Sequence, residues 1–181
     1  MTMAITLTPG TWTLDGSHSE IGLSVRHAGI SRVRAIFEES TGTLQVSEDG
    51  SADVNAVVRA DSFNSKDENR DGHVKGEDFL HAEKYPELTF VATSVKPSGE
   101  VFDLTGELTI RGVSKTVTFE VEFGGQAVDP FGMTRAGFSA TTTISRKEFG
   151  LTWNAALEAG GVLVSDKVKL DLDVAFVHQG E

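Results

Sequence analysis

The sequence predicts an all-β protein, an extended eight-stranded antiparallel β-barrel with a short helical insertion around residues 66–85. Two observations carry this. First, apolar side chains recur with a strict period of two: Val168, Leu170, Leu172, Val174 and Phe176 alternate with Lys167, Lys169, Asp171, Asp173 and Ala175. The same pattern returns in segment after segment, which is the signature of strands with one buried face. Second, only one long stretch, residues 61–87, breaks the alternation with polar, charged residues. A sheet with one apolar face and few helices must bury that face against itself, so it curls and closes. A closed barrel is either filled by its own side chains or holds a ligand.

The elements follow in order. Gly10–Leu14 is extended and ends at Asp15-Gly16, a turn signal. Ile21, Leu23 and Val25 alternate next, with His27 in phase. Phe37 opens an extended stretch that runs to Val46, the turn Ser47-Glu48-Asp49-Gly50 follows, and Val54, Ala56 and Val58 resume the alternation. In the insertion, Asp71 is a candidate helix cap, although Gly72 and Gly76 weaken a helix there. Gly76–Lys84 reads as the better helical piece, stopped by Pro86, with Phe79 and Leu80 as anchors onto the barrel. Strands return with Leu88, Phe90 and Ala92 on one face, then with Phe102, Leu104, Leu108 and Ile110. Across a tight connection beginning at Arg111-Gly112, Val117, Phe119, Val121 and Phe123 answer them. Phe138, Ala140, Thr142 and Ile144 form the next strand, Ser145–Trp153 a bend, and Ala155–Gly161 a small-residue loop before the last strand. Six of the 11 Phe lie on the apolar phase, and periodicity alone does not separate a Phe-packed core from a Phe-lined cavity.

At 181 residues the chain fits one barrel domain, 11–178, after an N-terminal extension of residues 1–10. With no Cys, disulfides, thiol chemistry and Cys-ligated metals are excluded. A net charge of -11 argues against broad contact with nucleic acid, and against charge-driven docking on anionic lipid. The N-terminus has no basic start and no apolar run of signal length, and no segment has the length of a membrane span, so a cytoplasmic location is expected.

Three groups of residues invite chemistry. His73, Glu77 and His81 lie four apart and on a helix would offer two imidazoles and a carboxylate to a metal. Gly76 interrupts that helix, and a solvated face with ion pairs accounts for the spacing equally well. Asp15, Ser17, His18 and Ser19 are the residue types of a hydrolase triad, but they are too close in sequence to converge from separate elements. A turn with side chains bonded to nearby backbone is the expected arrangement. His27, in phase with the apolar face, either satisfies a buried neighbour or meets the polar head of a ligand.

Four segments in order resemble the YceI-like polyisoprenoid-binding proteins: TWTLDGSHSEIGLSVRHAGIS, DGHVKGEDFLHAEKYPELTF, LTIRGVSKTVTFEVEF and GFSATTTISRKEFGLTW, the last with its Arg-x-x-Phe-Gly-Leu bend. The resemblance spans about residues 11–177; one departure is Ala35, where the family pattern has Gly. It implies a lipocalin-like barrel around a long apolar tunnel that holds an isoprenoid chain of quinone or prenyl-phosphate type. The implied role is binding or carriage for transport, storage or protection, with no catalytic residue and no cofactor beyond the lipid, and with a homodimer compatible with the fold. The walls then fall to the in-phase side chains Ile21, Leu23, Val25, Leu88, Phe90, Phe102, Leu104, Leu108, Phe119, Phe138, Ile144, Leu170, Leu172 and Val174. Phe79 and Tyr85 frame the insertion side, and His27 supplies a polar contact. One bulge would invert the parity of every residue after it. Two other classes stay open: a small lipid-modifying enzyme using His18, His27 or the helical histidines, and a packed barrel serving as a stress-related protein-interaction module.

Overall fold

The computed structural model describes residues 7–95, 97, 99–158 and 161–180; most of the expected N-terminal extension and the middle of the Ala155–Gly161 loop lie outside these. Eleven strands form one antiparallel sheet: β1 (Gly10–Leu14), β2 (Glu20–His27), β3 (Ser31–Phe37), β4 (Ser40–Val46), β5 (Ala52–Arg59), β6 (Phe63–Asn64), β7 (Glu87–Val95), β8 (Val101–Ile110), β9 (Val113–Val128), β10 (Thr134–Ser145) and β11 (Val164–His178). The long β11 pairs with β2 along its first two thirds and with β1 at its end, where Trp12 faces His178 and Leu14 faces Phe176. That second pairing closes the ring β1-β4-β5-β7-β8-β9-β10-β11. The closed eight-stranded antiparallel barrel expected from the alternation is therefore present.

The surplus strands are continuations. A 3-10 turn at Gly16–His18 separates β1 from β2, Glu38 and Glu39 separate β3 from β4, and a second 3-10 turn at Ala60–Ser62 separates β5 from β6. Three of the eight staves are thus bent, and their second halves run as β2-β3-β6. The ladder stops at the two-residue β6, so no strand links it to β7 at this end; the segment between them occupies that side. This end, with the 110–113 turn, the 146–149 bend and the β2–β3 turn, is the lower end; the β4–β5, β7–β8 and β9–β10 turns lie at the upper end.

Three sequence expectations are corrected here. The extended stretch does not begin at Phe37. Ser31–Phe37 is itself a strand, with Val33, Ala35 and Phe37 more buried than Arg32 and Arg34. Long Arg side chains keep their charges in water while their stems cover the sheet, so the segment reads as polar although it is a strand. The helix, α1, spans Glu68–Lys75 rather than Gly76–Lys84. Its cap is Asp67, whose carboxylate accepts from the Arg70 N–H at 3.0 Å. Asp71 instead accepts from the backbone N–H and hydroxyl of Ser65, at 2.8 and 2.5 Å, tying the helix back to the chain that enters it. Gly76 ends α1, and His81 at φ +50° breaks any helical phase beyond it. Arg111 then pins this stretch by donating to the carbonyls of Glu77 and Phe79 at 2.5 and 2.6 Å.

Bulges leave the expected wall residues in phase; on β7 a one-residue shift inverts parity only beyond Ala92, so that Val95 faces in. Between Val164 and Val168 the register gains two extra residues against β2, which preserves parity. The single-residue shift on β9 lies at Gly124-Gly125, beyond Phe123, so it leaves Val117, Phe119, Val121 and Phe123 in phase. Gly106 sits on the inward phase of β8 because a Cβ there would fall 2.5 Å from the Phe90 ring and from the Val91 carbonyl oxygen.

Buried side chains form two groups. The larger is built on Phe37, Phe63, Phe79, Leu80, Phe119, Ile144 and Phe149. The smaller lies at the upper end around Trp12, which is fully buried and donates its indole N–H to the Thr8 carbonyl at 2.9 Å.

Candidate functional site

The barrel is not solidly packed. A cavity of about 690 Å³ runs along its axis, from α1, Arg146 and Trp153 at the lower end to Leu7, Val46 and Val95 near the upper. This volume lies within the roughly 300–1,000 Å³ typical of small-molecule sites. Its wall is dominated by aliphatic and aromatic side chains of every stave, because each strand presents one residue in two to the inside. Ile21, Leu23 and Val25 of β2, Leu88 and Phe90 of β7, Phe102, Leu104 and Leu108 of β8, Phe119 of β9, Phe138 and Ile144 of β10, and Leu170, Leu172 and Val174 of β11 all face it, as does Phe79 of the insertion. Phe90 and Phe119 meet edge to face at 5.3 Å, and Phe123 tilts against Phe138 at 5.3 Å.

Tyr85 does not belong to this wall. Its ring packs over the β8–β9 turn, where Gly112 at φ +73° leaves room for it. The ring of His81 meets it edge to face at 5.9 Å. His27 does reach the cavity, but at its lower rim, as an exposed residue with no side-chain hydrogen bond among the described residues.

Polar lining gathers at that lower end: Arg26 and His27 of β2, Asp67, Asn69, Arg70 and His73 of the insertion, and Arg146. Arg146 is 4% exposed. Its guanidinium donates through Nε to the Ser165 carbonyl, through Nη1 to those of Leu151 and Trp153, and through Nη2 to that of Val164, at 2.6 to 3.1 Å. It also lies 5.7 Å from the Phe79 ring. Burial pulls its pKa below the usual arginine value, with Asp166 opposing that shift. The neighbouring rings of His73, Phe79 and Trp153 pack mutually at 4.6 to 5.5 Å and form one side of this end. Alternation names neither Arg146 nor Trp153 as lining, and the sequence marks His73 of α1 only as a possible metal ligand. Arg in the Arg-x-x-Phe-Gly-Leu bend was the available signal, since a charge beside Phe149 and Leu151 has to be satisfied internally.

The other candidate clusters are structural. Asp15 caps the first 3-10 turn, accepting from the Ser17 N–H at 3.0 Å and the Ser17 hydroxyl at 2.6 Å, with His18 Nδ1 at 2.7 Å. The three side chains do touch, but they lie away from the cavity wall, and the serine proton is committed to the carboxylate. Arg135 holds that carboxylate at 2.7 Å and reaches Asp129 at 2.7 Å with its Nε. The Ser17 hydroxyl, then Arg135 and His18, hold Asp15 well below the usual carboxylate range. Of the insertion's possible ligands, His73 pairs with Asp78 at 2.9 Å and His81 stands 4.0 Å from Glu77. No three His, Asp or Glu side chains among the described residues are grouped to hold a metal ion. No helix among them is long and apolar enough to cross a membrane.

Comparison with known proteins places this geometry. The model of the YceI-like domain matches residues 12–176. Protein YceI of Salmonella arizonae is 39% identical over 167 residues, covering 91% of this chain and 84% of that protein. Among solved structures, BcnA of Burkholderia cenocepacia superposes with a TM-score of 0.77 at 21% identity, covering 90% of this chain and 98% of that one. A polyisoprenoid binding domain from Saccharophagus degradans superposes at 0.72 with 14% identity, covering 92% and 98%. Both structural likenesses bear on the fold.

Proposed function

Because the chain belongs to the YceI-like domain family, we propose that it binds a linear polyisoprenoid lipid, of quinone or prenyl-phosphate type, in the barrel cavity and keeps it out of water. The observation that carries this reading is the apolar cavity of about 690 Å³ along the barrel axis, with its charged and imidazole lining gathered at one end. A chain of isoprene units threads such a space lengthwise and leaves a polar head at the lower rim. The Saccharophagus degradans domain of the same fold, described as polyisoprenoid binding, supports this ligand class. Burial of the chain contributes about 0.8 kcal/mol per methylene equivalent. Ordering a long flexible tail offsets much of that, so net affinity falls well short of the gross sum. No bond need be made or broken for this role, and the contact among Asp15, Ser17 and His18 is occupied as a turn cap off the cavity wall.

The test is organic extraction of the purified protein with mass spectrometry of the extract, and native mass spectrometry alongside. A stoichiometric lipid from a series spaced by prenyl units is expected. Alanine at both Phe90 and Phe138 should weaken its retention in a barrel that still folds. A protein that is empty, and that fails to take up added quinone or prenyl phosphate, would overturn the reading in favour of a barrel acting through protein contacts.

A further inference from the structure

The β2–β3 hairpin forms part of the lower rim, and its surface is unlike the rest of this acidic chain. Its outer face carries Arg26, Arg32 and Arg34, all exposed. Arg26 stands directly opposite Arg32 in the ladder, and Arg34 opposite Ser24. Directly opposed like charges destabilise a strand pair. None of the three forms an ion pair or a side-chain hydrogen bond among the described residues, in a chain that holds 27 Asp and Glu against 16 Lys and Arg. Anions supplied from outside would relieve this arrangement.

The tip of the same hairpin is apolar. Ile30 is 85% exposed, and Val162, on the loop leading into β11, is 51% exposed. The two loops are tied by a hydrogen bond from the Ala28 N–H to the Leu163 carbonyl at 2.6 Å. Ala28 and Gly29 both have positive φ, +54° and +71°, which gives the tight turn a hairpin favours and holds Ile30 forward. Leu163, Arg26 and His27 also line the cavity, so the apolar tip and the basic face flank its mouth. The upper end has an exposed apolar tip as well, with Phe131 88% exposed, but there Asp129 is the adjacent charge and the neighbouring turn carries Glu48 and Asp49.

We propose that the β2–β3 hairpin and the 161–163 loop dock on the surface of an anionic lipid bilayer, with Ile30 and Val162 dipping among the headgroups and Arg26, Arg32 and Arg34 meeting lipid phosphates. The cavity mouth then opens at the interface from which a lipid would enter. Only this last consequence rests on the carrier reading. Net charge alone does not decide docking in this pose, because charges are felt only within about 10 Å of the surface at moderate salt, so the local basic face counts for more than the overall value.

The experiment is co-sedimentation with vesicles of phosphatidylcholine alone and of phosphatidylcholine mixed with phosphatidylglycerol. Partition to the mixed vesicles that fades with added salt is expected. Each of Arg26→Gln, Arg32→Gln and Arg34→Gln should lower it about fivefold, the equivalent of ~1 kcal/mol per basic residue near an anionic surface. Ile30→Ser should lower it about tenfold, the scale of one lost aliphatic burial, and Phe131→Ser should leave it unchanged. In the unaltered protein, the mixed vesicles should slow amide hydrogen exchange at 26–32 and 161–164 but not at 128–133, a readout that needs no variant to fold. Absence of partition, partition indifferent to the arginines, or protection at the 128–133 tip instead would overturn the proposal. Docking by a protein whose extract holds no lipid and that takes up no added quinone or prenyl phosphate would leave this proposal standing and remove the carrier reading.

Discussion

Arg146 shows how much a single side chain can organise. Four backbone carbonyls from two segments, 151–153 and 164–165, converge on its guanidinium. These carbonyls flank the loop that enters β11, so the charge acts as a hub where a strand ladder is missing. Arg146→Ala would leave several buried acceptors without donors, each costing about 1–3 kcal/mol. The expected outcome is a loss of about 3 kcal/mol or more, read as a lower urea midpoint at unchanged slope. Arg146→Lys should recover only part of it, because an ammonium lacks the planar fork that reaches both segments. At this scale the sequence was legible for side chains whose position follows from alternation, such as Leu88 or Leu172. It set Tyr85 beside Phe79 at the insertion side, whereas the ring packs over the β8–β9 turn, a contact that alternation does not encode.

At the scale of elements, the bend between β1 and β2 is fastened to the opposite hairpin. Asp15 from that bend and Asp129 from the β9–β10 turn both hold Arg135 at the start of β10. Arg135, then the Met133 N–H, lowers the Asp129 carboxyl; the Ser17 hydroxyl, then Arg135, lowers Asp15. Carboxyls depressed in the folded state stabilise it above the unfolded carboxylate pKa, about 4, and this stability is lost as pH falls below that value through the folded one. The thermal midpoint is therefore expected to drop on acidification below about pH 4. Arg135→Gln should lower the midpoint at neutral pH and make the acid drop shallower; an unchanged acid limb would show that the tie contributes nothing. The insertion marks the limit of element-level reading. Its polar composition announced a break in the sheet, but which half is helical was decided by Asp67 as cap and Arg111 as clamp, the latter contributed from more than 30 residues away.

For the whole molecule, the question is whether eight staves enclose space or fill it. The cavity exists although inward positions carry many large side chains, because Ala140, Ala56 and Ala52 leave room between the Phe rings. Ala140→Phe should place a ring in the middle of the cavity, lower retention of a long-chain lipid at least tenfold, and leave the thermal midpoint unchanged or higher, since a filled void restores dispersion contacts. A variant that folds and still holds its full lipid would mean that the tail does not run past β10. Charge, too, is a whole-molecule number with local exceptions. The overall value of -11 argues against an anionic surface, yet the three unpaired arginines of the β2–β3 hairpin stand together beside the mouth.

By itself the sequence determined the strand phase, and with it the barrel and most of its inward face, because a period of two is a local property that burial on one side imposes on each strand. Family membership was legible for a related reason: the quoted segments retain both spacing and side-chain type. Only the tertiary structure decided that the barrel is hollow, that its charged lining lies at one end, that Arg146 ties the backbone together at that end, and that Arg26 faces Arg32. Each depends on residues far apart in the chain meeting at chosen distances, and alternation says which way a side chain points but not what stands opposite it.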